Sequence, residues 1–167
     1  MDPESLRQLQ APLKQRYRDD PQSAVVTLKA TGLVDDGSIA CKVETGRALA
    51  VAGLHTATGG SGAELCSGDM LLEALVACAG VTLKAVATAL EFRLGKARVS
   101  AEGDLDFRGT LGVAKDAPVG FREIRLAFDL DTDEPPERIA TLLKLTERYC
   151  VVFQTLSAGP RLAVSAS

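Results

Sequence analysis

The stretch CSGDMLLEALVACAGVTL, residues 66–83, constrains the fold of this chain more than any other segment. From Met70 to Leu90 apolar residues occupy every side of a helical projection, the pattern of a helix buried all round. A bilayer span needs about 20 such residues, so a membrane helix is the first rival. Glu73 and Lys84 lie inside the run, and each would cost about 2.5–3.5 kcal/mol near a membrane centre. Strand-like segments flank the run and no basic loop sets an orientation, which favours a core helix. A helix of about 25 residues extends nearly 40 Å. One 167-residue domain surrounds that length poorly, so a second copy of the chain is expected to cover part of it.

The remaining elements follow from periodicity. Glu4 to Arg18 reads as an amphipathic helix with Leu6, Leu9, Leu13 and Tyr17 on one stripe and Pro12 interrupting it. Its stripe is expected to pack at the edge of a dimer. Alternation in AVVTLKAT (24–31), a turn at DDGS (35–38), SIACKVET and, after a turn at Thr45–Gly46, RALAVAG reads as a meander of strands. HTATGGSGAEL (55–65) is a loop of small residues, and Ser67 caps a helix running to about Phe92. ARVSAEGDLDF and FREIRLAFDLD alternate as strands on either side of a loop, RGTLGVAKDAPVG. TDEPPERIATLLKLTERY is a capped helix with prolines in its first turn and Ile139, Leu142, Leu143 and Thr146 on one face. CVVFQTLSAG reads as a short helix ended by Gly159, and PRLAVSAS as a closing strand. This order indicates an α+β fold with a largely antiparallel sheet. Length indicates a single domain over 1–167, with a helical extension at 1–22 and a core at 24–166.

Composition narrows the function. Net charge is −3 and no Lys/Arg block occurs, so neither nucleic acid nor an anionic membrane is an expected partner. Trp is absent and aromatics are 4% of residues, which removes base-stacking platforms. The first residues are charged and carry no apolar signal core, so the expected location is the cytoplasm, where thiols stay reduced. TATGG and RGTLG match no phosphate-cradling fingerprint.

Four cysteines, Cys41, Cys66, Cys78 and Cys150, include no CxxC pair, and no metal or other resident cofactor is expected. A zinc site of His55 with Cys66, Cys78 and Cys150 lacks short-range ligand pairs. His55 fits a polar residue at a strand end. Cys78, among Ala, Val and Gly, fits a small buried hydrophobe as well as a reactive thiol. Cys150 has the stronger local claim to a thiolate, because it follows Glu147–Arg148 at a helix junction where amides and an Arg favour the anion. Cys66 lies about 16–18 Å from Cys78 by helical rise and reads as a loop thiol.

SGDMLLEALVACAGVTL followed by LTERYCVVFQTL resembles the OsmC/organic hydroperoxide resistance family. VSAEGDLDFRGTLGVAKDAPVGFREIRLAFDLD is similar to that family's paired middle strands, and PPERIATLLKLTERYC to its second helix. The resemblance covers residues 24 to 166. It implies the OsmC-like fold, antiparallel sheets around a long buried central helix in an intertwined homodimer. It also implies a thiol-dependent peroxidase that reduces organic hydroperoxides in oxidative-stress defence. By position Cys78 is the peroxidatic residue, oxidised to a sulfenic acid, and Cys150 resolves it to a disulfide that an external dithiol reduces. Asp69, Arg47 and Glu147 are the supporting candidates.

Three positions depart from the peroxidase pattern. Gly68 stands where that branch has a Glu ten residues before the first Cys, with the acidic Asp69 next to it. The family's thiolate-stabilising Arg has only regional counterparts, Arg47 and Lys29. Val151 replaces a Pro after the second Cys. These departures keep open an alternative, a non-enzymatic OsmC-like dimer that binds a small hydrophobic molecule with Cys78 lining its pocket.

Overall fold

A computed structural model of the chain describes the backbone of residues 3–34, 41–43, 52–63 and 65–165, and their side chains except at 3–7, 28–30, 32, 34 and 41–43. The expected turns at 35–38 and 45–46 lie outside the described residues. Helices α1 (Pro3–Asp19), α2 (Ser67–Ala89), α3 (Phe107–Thr110), α4 (Pro136–Tyr149) and α5 (Val151–Ser157) alternate with strands. The strands are β1 (Val25–Val34), β2 (Cys41–Val43), β3 (Ala52–Gly53), β4 (Leu65–Cys66), β5 (Ala97–Asp106) and β6 (Phe121–Leu130). One sheet has the order β2-β1-β5-β6, and β3 pairs with β4 in a second. β1 and β2 are antiparallel with Val34 opposite Cys41, whereas β3 and β4 are parallel with Gly53 opposite Cys66. The fold is therefore α+β. The described chain divides into two compact units, one drawn from Met1–Ala30, Glu44–Glu73 and Ser100–Ala127, the other from Thr31–Val43, Ala74–Val99 and Phe128–Ser167.

In the first unit α1 continues through Pro12, which is exposed. An interior proline costs a helix about 3 kcal/mol, and tertiary anchoring further along offsets it. Tyr17 is fully buried, and its hydroxyl donates to the carbonyl of Ala57 at 2.6 Å. Gln10 Nε2 donates to the carbonyl of Thr58 at 3.3 Å, and Gly59 leaves room for Leu9 beside it. Tyr17 and Gln10 thus tie α1 to a 3-10 turn at Thr56–Thr58. β5 buries Ala101, Gly103 and Leu105 on alternate positions, as its alternation requires. Gly103 is demanded by packing: a Cβ there would lie 2.5 Å from the Phe121 ring. On the other face Asp104 accepts from Thr27 Oγ1 at 2.6 Å and from Arg125 Nη1 at 2.7 Å. The segment after β5 contains a turn of helix, α3, because the Asp106 carboxylate accepts the Arg108 N–H at 3.1 Å as a cap.

In the second unit α2 buries Leu75, Val76, Ala79, Leu83 and Ala87. Burial is one-sided: Val81 is 38% exposed here, and Leu71, near the start of the same helix in the first unit, is 37% exposed. A helix apolar all round thus has only part of its surface covered by its own chain. Buried Glu134 accepts from the Arg93 N–H at 3.0 Å and from Arg138 Nη1 at 2.7 Å. Arg138 Nη2 also donates to the carbonyl of Leu90, fastening α4 to the turn that ends α2. α4 starts at Pro135–Pro136 without a side-chain cap, contrary to expectation, since its preset φ replaces the cap. Leu142 and Thr146 are its buried positions. Residues 159–165 do not form the expected strand; Leu162 and Val164 are 84% and 99% exposed. Alternation makes a strand only where a neighbour supplies ladder hydrogen bonds.

Candidate functional site

α4 and α5 are separated by one residue, Cys150. Its N–H donates to Thr146 O at 2.9 Å, closing α4, and its carbonyl accepts from Gln154 N at 2.9 Å, opening α5. Its sulfur stands at the N-cap position and accepts the Phe153 N–H at 3.5 Å. Cysteine is not a usual cap, and what it gains here is proximity to a second sulfur. The thiols of Cys150 and half-buried Cys78 are hydrogen-bonded to each other.

Four donors converge on Cys78. Burial pushes its thiol up, but the Val152 N–H, the Cys150 thiol, the Val151 N–H and the Thr82 hydroxyl donate to the sulfur, and the net direction is down. Thr82 is one helical turn beyond Cys78 on α2, so the two side chains share a face. Val151 and Val152 are the first residues of α5, whose free amides bear partial positive charge. Cys150 shows the opposite behaviour. It is fully buried, and burial together with its bond to the Cys78 sulfur pushes its thiol up to about 11.

The local expectation of a thiolate at Cys150 is thus reversed. The Val151 N–H acts on Cys78, the Phe153 N–H on Cys150 and the Val152 N–H on both, and burial outweighs the amides at Cys150. Arg148, the expected cation, is exposed and stacks over Tyr149 at 5.5 Å. Chemically the pair sets a thiol whose ionisation is favoured, the thiolate being the nucleophilic form of cysteine, beside one whose ionisation is opposed.

The other sequence candidates fall as follows. Glu147 is exposed and enters through its backbone, its carbonyl accepting from Gln154 Nε2 at 2.9 Å. Asp69 lies in the first turn of α2, where burial pushes its carboxyl up and His55 opposes that shift. Arg47 lies outside the described residues, as does the side chain of Lys29. Gly68 and Cys66 line a groove of about 370 Å³ within the first unit, with Leu54, His55, Phe107 and Phe121. Cys78 is not among its lining residues. His55 serves the structure of its own loop, where its Nδ1 accepts the Ala57 N–H at 3.0 Å and its ring stacks on Phe107 at 4.9 Å. Sequence reasoning missed Thr82 and the amides of Val151 and Val152. The i, i+4 spacing from Cys78 signals Thr82, whereas nothing in a linear pattern aims α5 at α2.

The comparisons with known proteins agree with this architecture. Residues 60–165 match the family model described as OsmC-like protein. No curated protein matches the chain. Among solved structures, the chain is similar to an OsmC-like hydroperoxide resistance protein from Jannaschia sp. CCS1, with 18% identity and a TM-score of 0.59. That likeness covers 83% of this chain and 91% of the other. With the family model spanning most of its length, from the β3–β4 loop to the last described residue, this chain belongs to the OsmC-like family.

Proposed function

We propose that the protein is a thiol peroxidase that reduces organic hydroperoxides, with Cys78 as nucleophile and Cys150 as resolving thiol. The observation that carries this reading is the hydrogen-bonded Cys78–Cys150 pair at the first amides of α5. The Cys78 thiolate attacks the terminal oxygen of the hydroperoxide. An S–O bond forms, the O–O bond breaks with two electrons passing from sulfur, and the alkoxide takes a proton from water to leave as an alcohol. The resulting sulfenic acid sits against the Cys150 thiol. Cys150 attacks it, an S–S bond forms, and hydroxide leaves with the Cys150 proton as water. This step protects Cys78 from irreversible over-oxidation. An external dithiol restores both thiols.

Membership of the OsmC-like family and the hydroperoxide resistance of the structural neighbour support a role in peroxide defence. The reading includes one OsmC-like domain over 1–167, with its core at 24–166, and a cytoplasmic setting. It also includes an intertwined homodimer in which the second copy covers the exposed side of α2, where Leu71 and Val81 lie. Turnover of an alkyl hydroperoxide with a dithiol reductant tests it. Wild type is expected to consume the alkyl hydroperoxide faster than hydrogen peroxide and to form an intrachain Cys78–Cys150 disulfide. Cys78→Ser should abolish turnover, and Cys150→Ser should react once and over-oxidise. Equal turnover by wild type and Cys78→Ser would overturn the reading.

A further inference from the structure

His55 stands at the N-cap of the Thr56–Thr58 turn, and its side chain is the cap. Its Nδ1 accepts the Ala57 N–H at 3.0 Å. A backbone N–H can only donate, so Nδ1 carries no proton and the ring is the neutral form protonated on Nε2. Stacking on Phe107, with ring centroids 4.9 Å apart and planes 15° from parallel, holds the imidazole in that orientation.

The turn capped in this way is also the anchor of α1. Ala57 is bound at both of its backbone polar groups, the N–H by His55 and the carbonyl by the Tyr17 hydroxyl at 2.6 Å. Gln10 Nε2 adds a bond to the next carbonyl, that of Thr58, at 3.3 Å. All of these residues belong to the first compact unit. Among the described residues, the titratable and charged groups around His55 come from four elements. They are Asp69 on α2, Cys66 on β4, and Tyr17 on α1 with Arg16, whose Nη2 donates to the Tyr17 hydroxyl at 3.3 Å. At α3 the pair Asp106–Arg108 flanks Phe107 and is closed on itself.

A protonated imidazole carries hydrogen on both nitrogens. The new hydrogen on Nδ1 would meet the Ala57 N–H donor to donor, so the cap and the charged ring exclude each other. Histidine is the side chain whose charge changes between about pH 5 and pH 8. We propose that His55 is a proton-sensitive latch on α1: the neutral ring caps the turn that holds the helix, and protonation frees Ala57 and loosens the C-terminal half of α1 from the loop. The change is local and reversible, because the His55 carbonyl still accepts from Thr58 N at 2.9 Å and from Gly60 N at 3.1 Å. His55 and Thr58 both line the groove of about 370 Å³, so the same event reshapes one wall of it.

Hydrogen exchange of the full chain at about pH 8 and about pH 5 tests this, with protection corrected for the intrinsic exchange rate at each pH. In wild type, protection of the Ala57 amide should fall about fivefold at the lower pH, the worth of one hydrogen bond, and that of the α1 amides from Leu13 to Tyr17 should fall with it. His55→Asn supplies a cap oxygen that does not titrate and should keep both sets protected at both pH values. His55→Ala should leave Ala57 equally unprotected at both. Asp69→Asn should retain the wild-type pH dependence, which separates the imidazole from the neighbouring carboxylate. Equal protection of wild type at the two pH values overturns the inference. So does a fall of the same size in His55→Asn, a fall confined to Ala57, or a pH dependence that Asp69→Asn abolishes. The measurement uses neither peroxide nor reductant, so its outcome is independent of the thiol peroxidase reading.

Discussion

Thr82 is the one side-chain donor to the Cys78 sulfur that can be deleted without touching the second cysteine or the backbone. Thr82→Val keeps the shape of the side chain and removes the hydroxyl. A hydrogen bond to a charged acceptor favours the anion, so the Cys78 thiol should rise. Ultraviolet thiolate titration and the rate of alkylation near neutral pH measure this; an unchanged titration would remove Thr82 from the site. Asp104 gives a second prediction at this scale. The hydrogen bond from Arg125 comes first among the causes that hold its carboxyl at about 2, against 3.8 for a free Asp. Between these values the unfolded chain binds more protons than the folded one, so stability rises with pH across that window. The contribution is present above the unfolded value and lost as pH falls through the folded value of about 2. Asp104→Asn should flatten the loss of stability between about pH 4 and pH 2 in acid unfolding curves, and an unchanged slope would count against this assignment.

At the scale of elements, helix α1 lies outside the family match and yet is tied to the loop that carries His55. Tyr17→Phe leaves the Ala57 carbonyl without its buried donor and should cost about 1 kcal/mol, or about 2–4 °C in melting temperature for a chain of this size. A variant that melts with wild type would show that water replaces the hydroxyl. Most elements are legible in the sequence alone. The body of α2 and the strands β5 and β6 follow from apolar periodicity, because burial on one or both faces writes the period into the sequence. What periodicity misses depends on partners distant in sequence. Leu162 and Val164 alternate like a strand but have no ladder. Pro12 argues locally against a helix that Tyr17 and Gln10 anchor on either side of it. The two site cysteines, with Cys78 as the nucleophile, are legible through the family resemblance, whereas the local sequence alone favours Cys150. Local pattern fails there because the first amides of α5 also serve a residue more than seventy positions earlier.

For the molecule as a whole, the exposed apolar residues of α2 give a test of the proposed homodimer. Val81→Glu puts a charge on that surface, and the desolvation it would suffer on burial should shift the protein toward monomer in sedimentation. A sedimentation profile identical to wild type would exclude Val81 from the interface. The composition of the two compact units carries a different consequence. Each is assembled from three separated stretches, and the stretches interleave along the chain. The first unit lacks its last stretch until Ala127 has been made, and the second draws on residues from Phe128 onward. A ribosome releasing this chain from its N-terminus therefore never exposes one finished unit before starting the other. Until the last stretch emerges, the apolar run around Cys78 lacks the part of its cover that comes from Phe128 onward, and such transiently exposed surface is prone to aggregation.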